Sequence, residues 1–311
     1  MQDREDILDL SKARSHDDWL ARLGNRVATA GHFYPLGPYH AAAYADGGTT
    51  LLVTFESIDT IRRVERGQVP LGLRIAARHG WSSLALVARE PRWFRDSEVL
   101  DFFDAQIDTG FFDGFDRVIF YGAGMSGYAA CALSICAPGA IVLAVAPQAT
   151  LDPQLAPWDR RFAKARRLDF NTRFGFAPSM LDGARNAFIV YDAGRRSDSM
   201  HATLFRRPFV TLLRAAHLGS KTESALRRMG VLETLIETAA RGRLTPARFH
   251  DMMRKRRNDP TYLCALVKRA AKSGHALLTI TAARHALALH DCAVTRRELA
   301  RAEKTRARSR A

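Results

Sequence analysis

At 311 residues, with 47% hydrophobic and 25% charged side chains, the chain can form one large domain plus an appendage and bury a full core. Part of its net charge of +15 sits in the C-terminal run TRRELARAEKTRARSRA, seven Lys or Arg against two Glu. That composition reads as a solvated helix end, with a weak affinity for RNA, anionic lipid or an acidic partner as the alternative. No aromatic residue interleaves with the basic ones, which argues against nucleic acid as a partner.

The N-terminus, MQDREDILDLSKARSHDDW, lacks the apolar stretch of a secretory signal. From about residue 50, short apolar runs alternate with helical patterns. TTLLVTF (49–55) and SLALVAR (83–89) read as strands, with DSEVLDFFDAQID (96–108) an amphipathic helix after them. RVIFYGA (117–123), AIVLAVAPQ (140–148), AFIVYD (187–192) and FVTLLRA (209–215) complete six strands. Their nearly continuous apolar content suits a parallel sheet buried on both faces, and the alternation predicts a doubly wound α/β domain. The uncharged run Tyr128 to Ala146 is broken by Pro138-Gly139, as a helix–turn–strand requires, so no membrane span is expected. A cytoplasmic location follows as the expectation.

Beyond residue 220 the strand pattern stops. SALRRMGVLETLIETAAR, TPARFHDMMRKRR, PTYLCALVKRAAKSG and HALLTITAARHALALHD read as consecutive helices, broken at Gly242, Asn258-Asp259-Pro260, Ser273-Gly274 and Asp291. Two units are expected: 1–220, with its core at about 45–220 and a possible cap at 150–185, and a helical extension at 221–311 with a basic tail. KSGHALLTITAARHALAL resembles part of a tetratricopeptide-type repeat, without a full second copy. Such an extension suits a protein partner.

The segment VIFYGAGMSGYAA, from Val118, carries the functional question. GAGMSG satisfies the dinucleotide pattern GxGxxG at a strand-to-helix turn. However, its strand is at least the third of the sheet, and the acidic residue expected after the next strand is replaced by Gln148. The other reading is a nucleophile elbow.

Here the chain resembles the α/β-hydrolase superfamily, in the branch with a Tyr-Gly-small-Ser-Met-Gly-Gly-Tyr elbow: Tyr121, Gly122, Met125, Gly127 and Tyr128 match. The resemblance implies an α/β-hydrolase fold in which an elbow serine attacks an ester or amide carbonyl. Gly124 occupies that serine's place. Ser126 lies two residues on, rotated by about 200° in the following helix.

In the family's chain order, Asp192 or Asp198 would be the acid and His217 the base, with Ser126 the candidate nucleophile. The backbone of Met125 and that of Ser57 (or its neighbour Glu56) would form the oxyanion hole. In PWDRRFAKARRLDF (157–170), Arg160, Arg161 and Arg166 read as a solvated helix face, or as recognition of an anionic ligand.

A degenerate elbow leads to a binding or scaffolding protein; an active esterase or acyl hydrolase is the alternative. Either way a small ester or anionic ligand is the expected small-molecule partner, and no cofactor or metal is called for. Cys131, Cys136, Cys264 and Cys292 form no CxxC pair and read as reduced core residues. A phosphoadenosine phosphosulfate reductase chemistry would need a reactive cysteine in a glycine-containing C-terminal motif. Cys292, in HDCAVT, has no neighbouring glycine or partner cysteine in the sequence, so no residue supports that reading.

Overall fold

The computed structural model of the protein describes residues 9–308. Eight strands form one sheet: β1 (Gly31–Leu36), β2 (His40–Ala45), β3 (Gly48–Ser57), β4 (Trp81–Ala88), β5 (Arg117–Ala123), β6 (Ile141–Val145), β7 (Asn186–Tyr191) and β8 (Val210–Arg214). Their order is β1-β2-β4-β3-β5-β6-β7-β8. β2 runs antiparallel to β1 and β4, and every other pairing is parallel. This is a mostly parallel, doubly wound sheet of the α/β-hydrolase type.

The six strands read from the sequence are β3 to β8. The hairpin β1–β2 and the preceding helix His16–Val27 were missed, so the sheet begins before residue 45. The hairpin gives a weak signal, because β2 (HAAAYA) is mostly alanine and β1 (GHFYPL) contains a proline. Both are poor strand formers that tertiary packing overrides. The helix fits the expected mechanisms: Ser15 Oγ accepts the Asp18 amide at 3.1 Å, and Trp19, Leu20 and Leu23 turn into the core.

Alternate residues of each central strand enter opposite layers. Val53, Phe55, Phe120, Val142 and Ile189 face one, with Phe103 and the helix Met125–Leu133. Leu52, Ile119, Tyr121, Leu143 and Val190 face the other, with Leu71 and Ile75 of the helix Leu71–His79. This two-sided burial explains why these strands read as continuous apolar runs.

The helical region expected from residue 221 divides in its packing. Thr222–Arg228 and Leu232–Ala240, expected as one helix, are separated at Gly230, where φ is 61°. They join the second layer of the sheet, as do Phe249 and Met253. Pro260–Lys272, Ala276–Leu289 and Ala293–Arg308 instead share a small core of their own, built from Leu263, Val267, Ala283 and Ala286. No helix among the described residues is long and apolar enough to cross a membrane. The basic run at 157–170 was read as a helix face; it is mostly irregular, with one short 3-10 turn at Ala165–Arg167. Pro157 and the polar bonds of Asp159 hold it out of helical geometry.

Candidate functional site

The chain runs from β3 outward to β4, then returns past β3 to begin β5, so the crevice between the carboxyl ends of β3 and β5 is a topological switch point. The turn after β5 sits there. Gly124 has φ 58° and ψ −121°, a conformation open to glycine and strained for any other residue. Its amide donates to the Val145 carbonyl at 2.8 Å, and its carbonyl accepts the Tyr128 amide at 3.0 Å. The turn is therefore fastened to both β6 and the helix it opens.

The neighbouring glycines have a different task. A Cβ on Gly122 would lie 2.1 Å from the Ser126 carbonyl oxygen, and one on Gly127 would lie 3.2 Å from Pro147 Cβ. A Cβ on Gly124 would meet nothing within 4 Å. Close packing thus requires Gly122, whereas the apex has room for a side chain and carries none.

A cavity of about 200 Å³ lies under the turn. Met125, Ser126, Ser57 and Glu56 all line it, so the structure brings together the expected oxyanion residues and the candidate hydroxyl. Ser126 is buried on the second residue of its helix, and its hydroxyl makes no side-chain hydrogen bond among the described residues. Neither His217 nor Asp192 lines this cavity.

Glu56 acts as a helix cap. Its carboxylate accepts the amides of Leu71 and Gly72 at 2.8 and 3.0 Å and the Thr54 hydroxyl at 2.8 Å. Pro70, at the usual capping position, has no side chain to do so. Burial, then the nearby Glu65 carboxylate, pushes Glu56 up to about 7, against the pull of those amides. Across the cavity, Tyr121 Oη and Arg227 donate to Glu223 at 2.8 and 2.7 Å, and Arg227 also pairs with Glu65.

Asp192 and His217 meet at the ends of β7 and β8. Asp192 is buried and accepts three backbone amides: Gly194 at 2.8 Å, His217 at 3.0 Å and Gly219 at 2.6 Å. The exposed His217 has φ 69°, and its ring makes no hydrogen bond among the described residues. Burial of part of the ring and the charge of Arg269 lower its pKa, with Arg256 adding to them and Asp192 opposing. Both arginines belong to the helical region, which therefore gives this end of the sheet a positive field.

Asp198 lies in a separate network. Arg161 bridges Asp159 and Asp198 at 2.8 and 2.6 Å. Asp159 also accepts His201 Nε2 at 2.8 Å, with neither side chain exposed to solvent. His201 Nδ1 accepts the Ala149 amide at 3.1 Å, which fixes a neutral ring with its proton on Nε2. Arg166 donates to the Asp159 carbonyl at 3.1 Å, while Arg160 is exposed. Arg161 is committed to carboxylates, and the basic segment is fastened to the helix after β7. Sequence reasoning missed His201, a residue inside the helix Arg196–Leu204 with no motif around it.

Gln148, where a dinucleotide site would need an acid, is buried and accepts the Trp93 indole N–H at 3.3 Å. No group of three or more His, Cys, Asp or Glu side chains among the described residues could hold a metal ion.

No protein-family model matches the chain, and no curated protein matches it. Among solved structures, the capsule O-acetyltransferase of Neisseria meningitidis serogroup A is 14% identical, over 67% of this chain and 94% of that one, with a TM-score of 0.44. Carboxyl esterase 2 from the mycorrhizal fungus Tuber melanosporum is 11% identical, over 67% and 85%, at 0.41. The fluorophosphonate-binding serine hydrolase F of Staphylococcus aureus is 11% identical, over 66% and 98%, at 0.40. The fold itself stands on strand order: an eight-stranded, mostly parallel α/β-hydrolase-like sheet with an all-helical C-terminal part.

Proposed function

We propose that the protein is a non-catalytic binding module on an α/β-hydrolase-like scaffold, holding a small anionic or ester ligand at the carboxyl end of the sheet. The observation that carries this is Gly124: the apex keeps the strained turn and the free space of a nucleophile elbow, without an attacking atom. Asp192 and His217 come together after β7 and β8, and the apex offers no side chain for them to orient. The positive field of Arg269 and Arg256 supports an anion near His217, and Arg269 Nη2 is buried without a hydrogen-bond partner. Leu277 and Leu278, 56% and 59% exposed, support a protein partner on the helical extension.

One observation favours a second reading, a serine hydrolase working through Ser126: its free hydroxyl lines the cavity under the turn. A fluorophosphonate probe separates the two. The binding module leaves the wild-type protein unlabelled; labelling that disappears in Ser126→Ala establishes the hydrolase.

A further inference from the structure

The C-terminal helices bring together two thiols that the sequence holds 28 residues apart. Cys264 lies on Pro260–Lys272, and Cys292 immediately precedes Ala293–Arg308. Their sulfur atoms are 3.7 Å apart, and both side chains are partly exposed. This corrects two expectations. Cys292 does have a partner cysteine, and only Cys131 and Cys136 are fully buried thiols.

The two sulfurs differ in their surroundings. The Thr295 hydroxyl and then the Thr295 amide, with Cys264 and the Val294 amide behind them, bring Cys292 down to about 7. Burial, and then Cys292 itself, push Cys264 up. Thr295 is buried, only 1% exposed. It lines a cleft of about 480 Å³ together with Cys264, Cys292, Lys268, His290 and Asp291. The cleft thus gives a small molecule access to the thiols, with a cation on its wall.

We propose that Cys264 and Cys292 form a thiol–disulfide exchange site for low-molecular-weight disulfides of the glutathione class, closing to a bond that ties Pro260–Lys272 to Ala293–Arg308. The Cys292 thiolate attacks one sulfur of the small disulfide, whose S–S bond breaks and releases one thiolate, protonated by solvent. Cys264 loses its proton to solvent and attacks Cys292 Sγ, displacing the second small thiolate. Two protein thiols are oxidised and one small disulfide is reduced to two thiols. Lys268 pairs with a carboxylate of the small molecule. Closure brings the sulfurs from 3.7 Å to the covalent distance of about 2.0 Å, a movement within reach of side-chain rotation and a slight helix shift. The site is independent of the crevice at Gly124.

Full-length protein titrated with glutathione disulfide and mapped by peptide mass spectrometry tests this. The expected product has lost two hydrogens and yields a Cys264–Cys292 cross-linked peptide. Cys264→Ala stops at a mixed disulfide on Cys292, and Cys292→Ala gives neither product. At pH 7, iodoacetamide alkylates Cys292 on the order of tenfold faster than Cys264, because only the thiolate reacts. Wild-type protein that accumulates separate glutathione adducts without the cross-link overturns the proposal. So does alkylation of Cys264 as fast as that of Cys292.

Discussion

Two of the aspartate–histidine pairs in this molecule, Asp159–His201 and Asp192–His217, are built in opposite ways. In Asp159–His201 both side chains are fully buried and both ring nitrogens are used, by the Asp159 carboxylate and the Ala149 amide. In Asp192–His217 the carboxylate is spent on backbone amides, and the exposed ring makes no hydrogen bond among the described residues. The first has the bonding expected of an oriented catalytic dyad but has no access to solvent; it is a strut. The second lies at the carboxyl ends of β7 and β8, with a ring exposed to solvent. Hydrogen-bond saturation marks structural work, and unspent bonding capacity beside solvent marks a site.

The largest effect should come from breaking the strut. Asp159→Ala leaves the His201 N–H and the Arg161 guanidinium without their main acceptor, at a cost of about 3–5 kcal/mol, the range for removing one partner of a buried pair. A urea unfolding series measures it. A loss below about 1 kcal/mol would remove the distinction between the pairs.

Acid sharpens the comparison next. Burial holds His201 and His40 below the usual imidazole value of about 6.5, with His40 at about 4. Asp96 and Glu98 raise His40 and Arg92 lowers it, without reversing the effect of burial. At these two histidines the folded state therefore binds fewer protons than the unfolded chain below pH 6.5, and their contribution to stability is lost as pH drops. For His40 the loss runs from about 6.5 down to about 4 and amounts to about 3 kcal/mol. Against the effect of burial, His201 and Arg161 hold Asp159 well below the usual carboxylate range, which adds a further loss below the ordinary aspartate value of about 3.9. Glu56, pushed up to about 7, works in the opposite direction over the same range, so the test is made in Glu56→Gln: there urea midpoints across pH 4 to 7 should decline towards acid, and a flat profile contradicts the burial of neutral imidazoles.

At the elbow, Gly122→Ala drives a methyl into the Ser126 carbonyl and should cost about 1–3 kcal/mol by overpacking. Equal tolerance of alanine at Gly122 and at a surface glycine would show that the turn is not closely packed. The smallest effect is at the other pair. His217→Ala should change stability by no more than about 0.5 kcal/mol, because the ring holds nothing in place.

The sequence made the central sheet and the tight turn after β5 legible for local reasons. β5 is a continuous apolar run, and the spacing of Gly122, Gly124 and Gly127 marks a tight turn whichever residue occupies its apex. Asp192 and His217 could be placed because each follows a strand end. Long-range partnership was not legible. Nothing near His201 announces the Asp159 carboxylate 42 residues away, and nothing near Cys292 announces Cys264, which lies beyond the whole helix Ala276–Leu289. Nor did the sequence show Glu56 as a helix cap, because its partners, the amides of Leu71 and Gly72, come 15 and 16 residues later.

The absence of an attacking atom at the apex is tested most directly by intact-protein mass after exposure to an activated acyl ester such as p-nitrophenyl acetate. The account predicts no acyl group on Ser126, in the wild-type protein or in His217→Ala. A stoichiometric acyl adduct on Ser126 that vanishes when His217 is removed would contradict it, and would make the crevice a working active site.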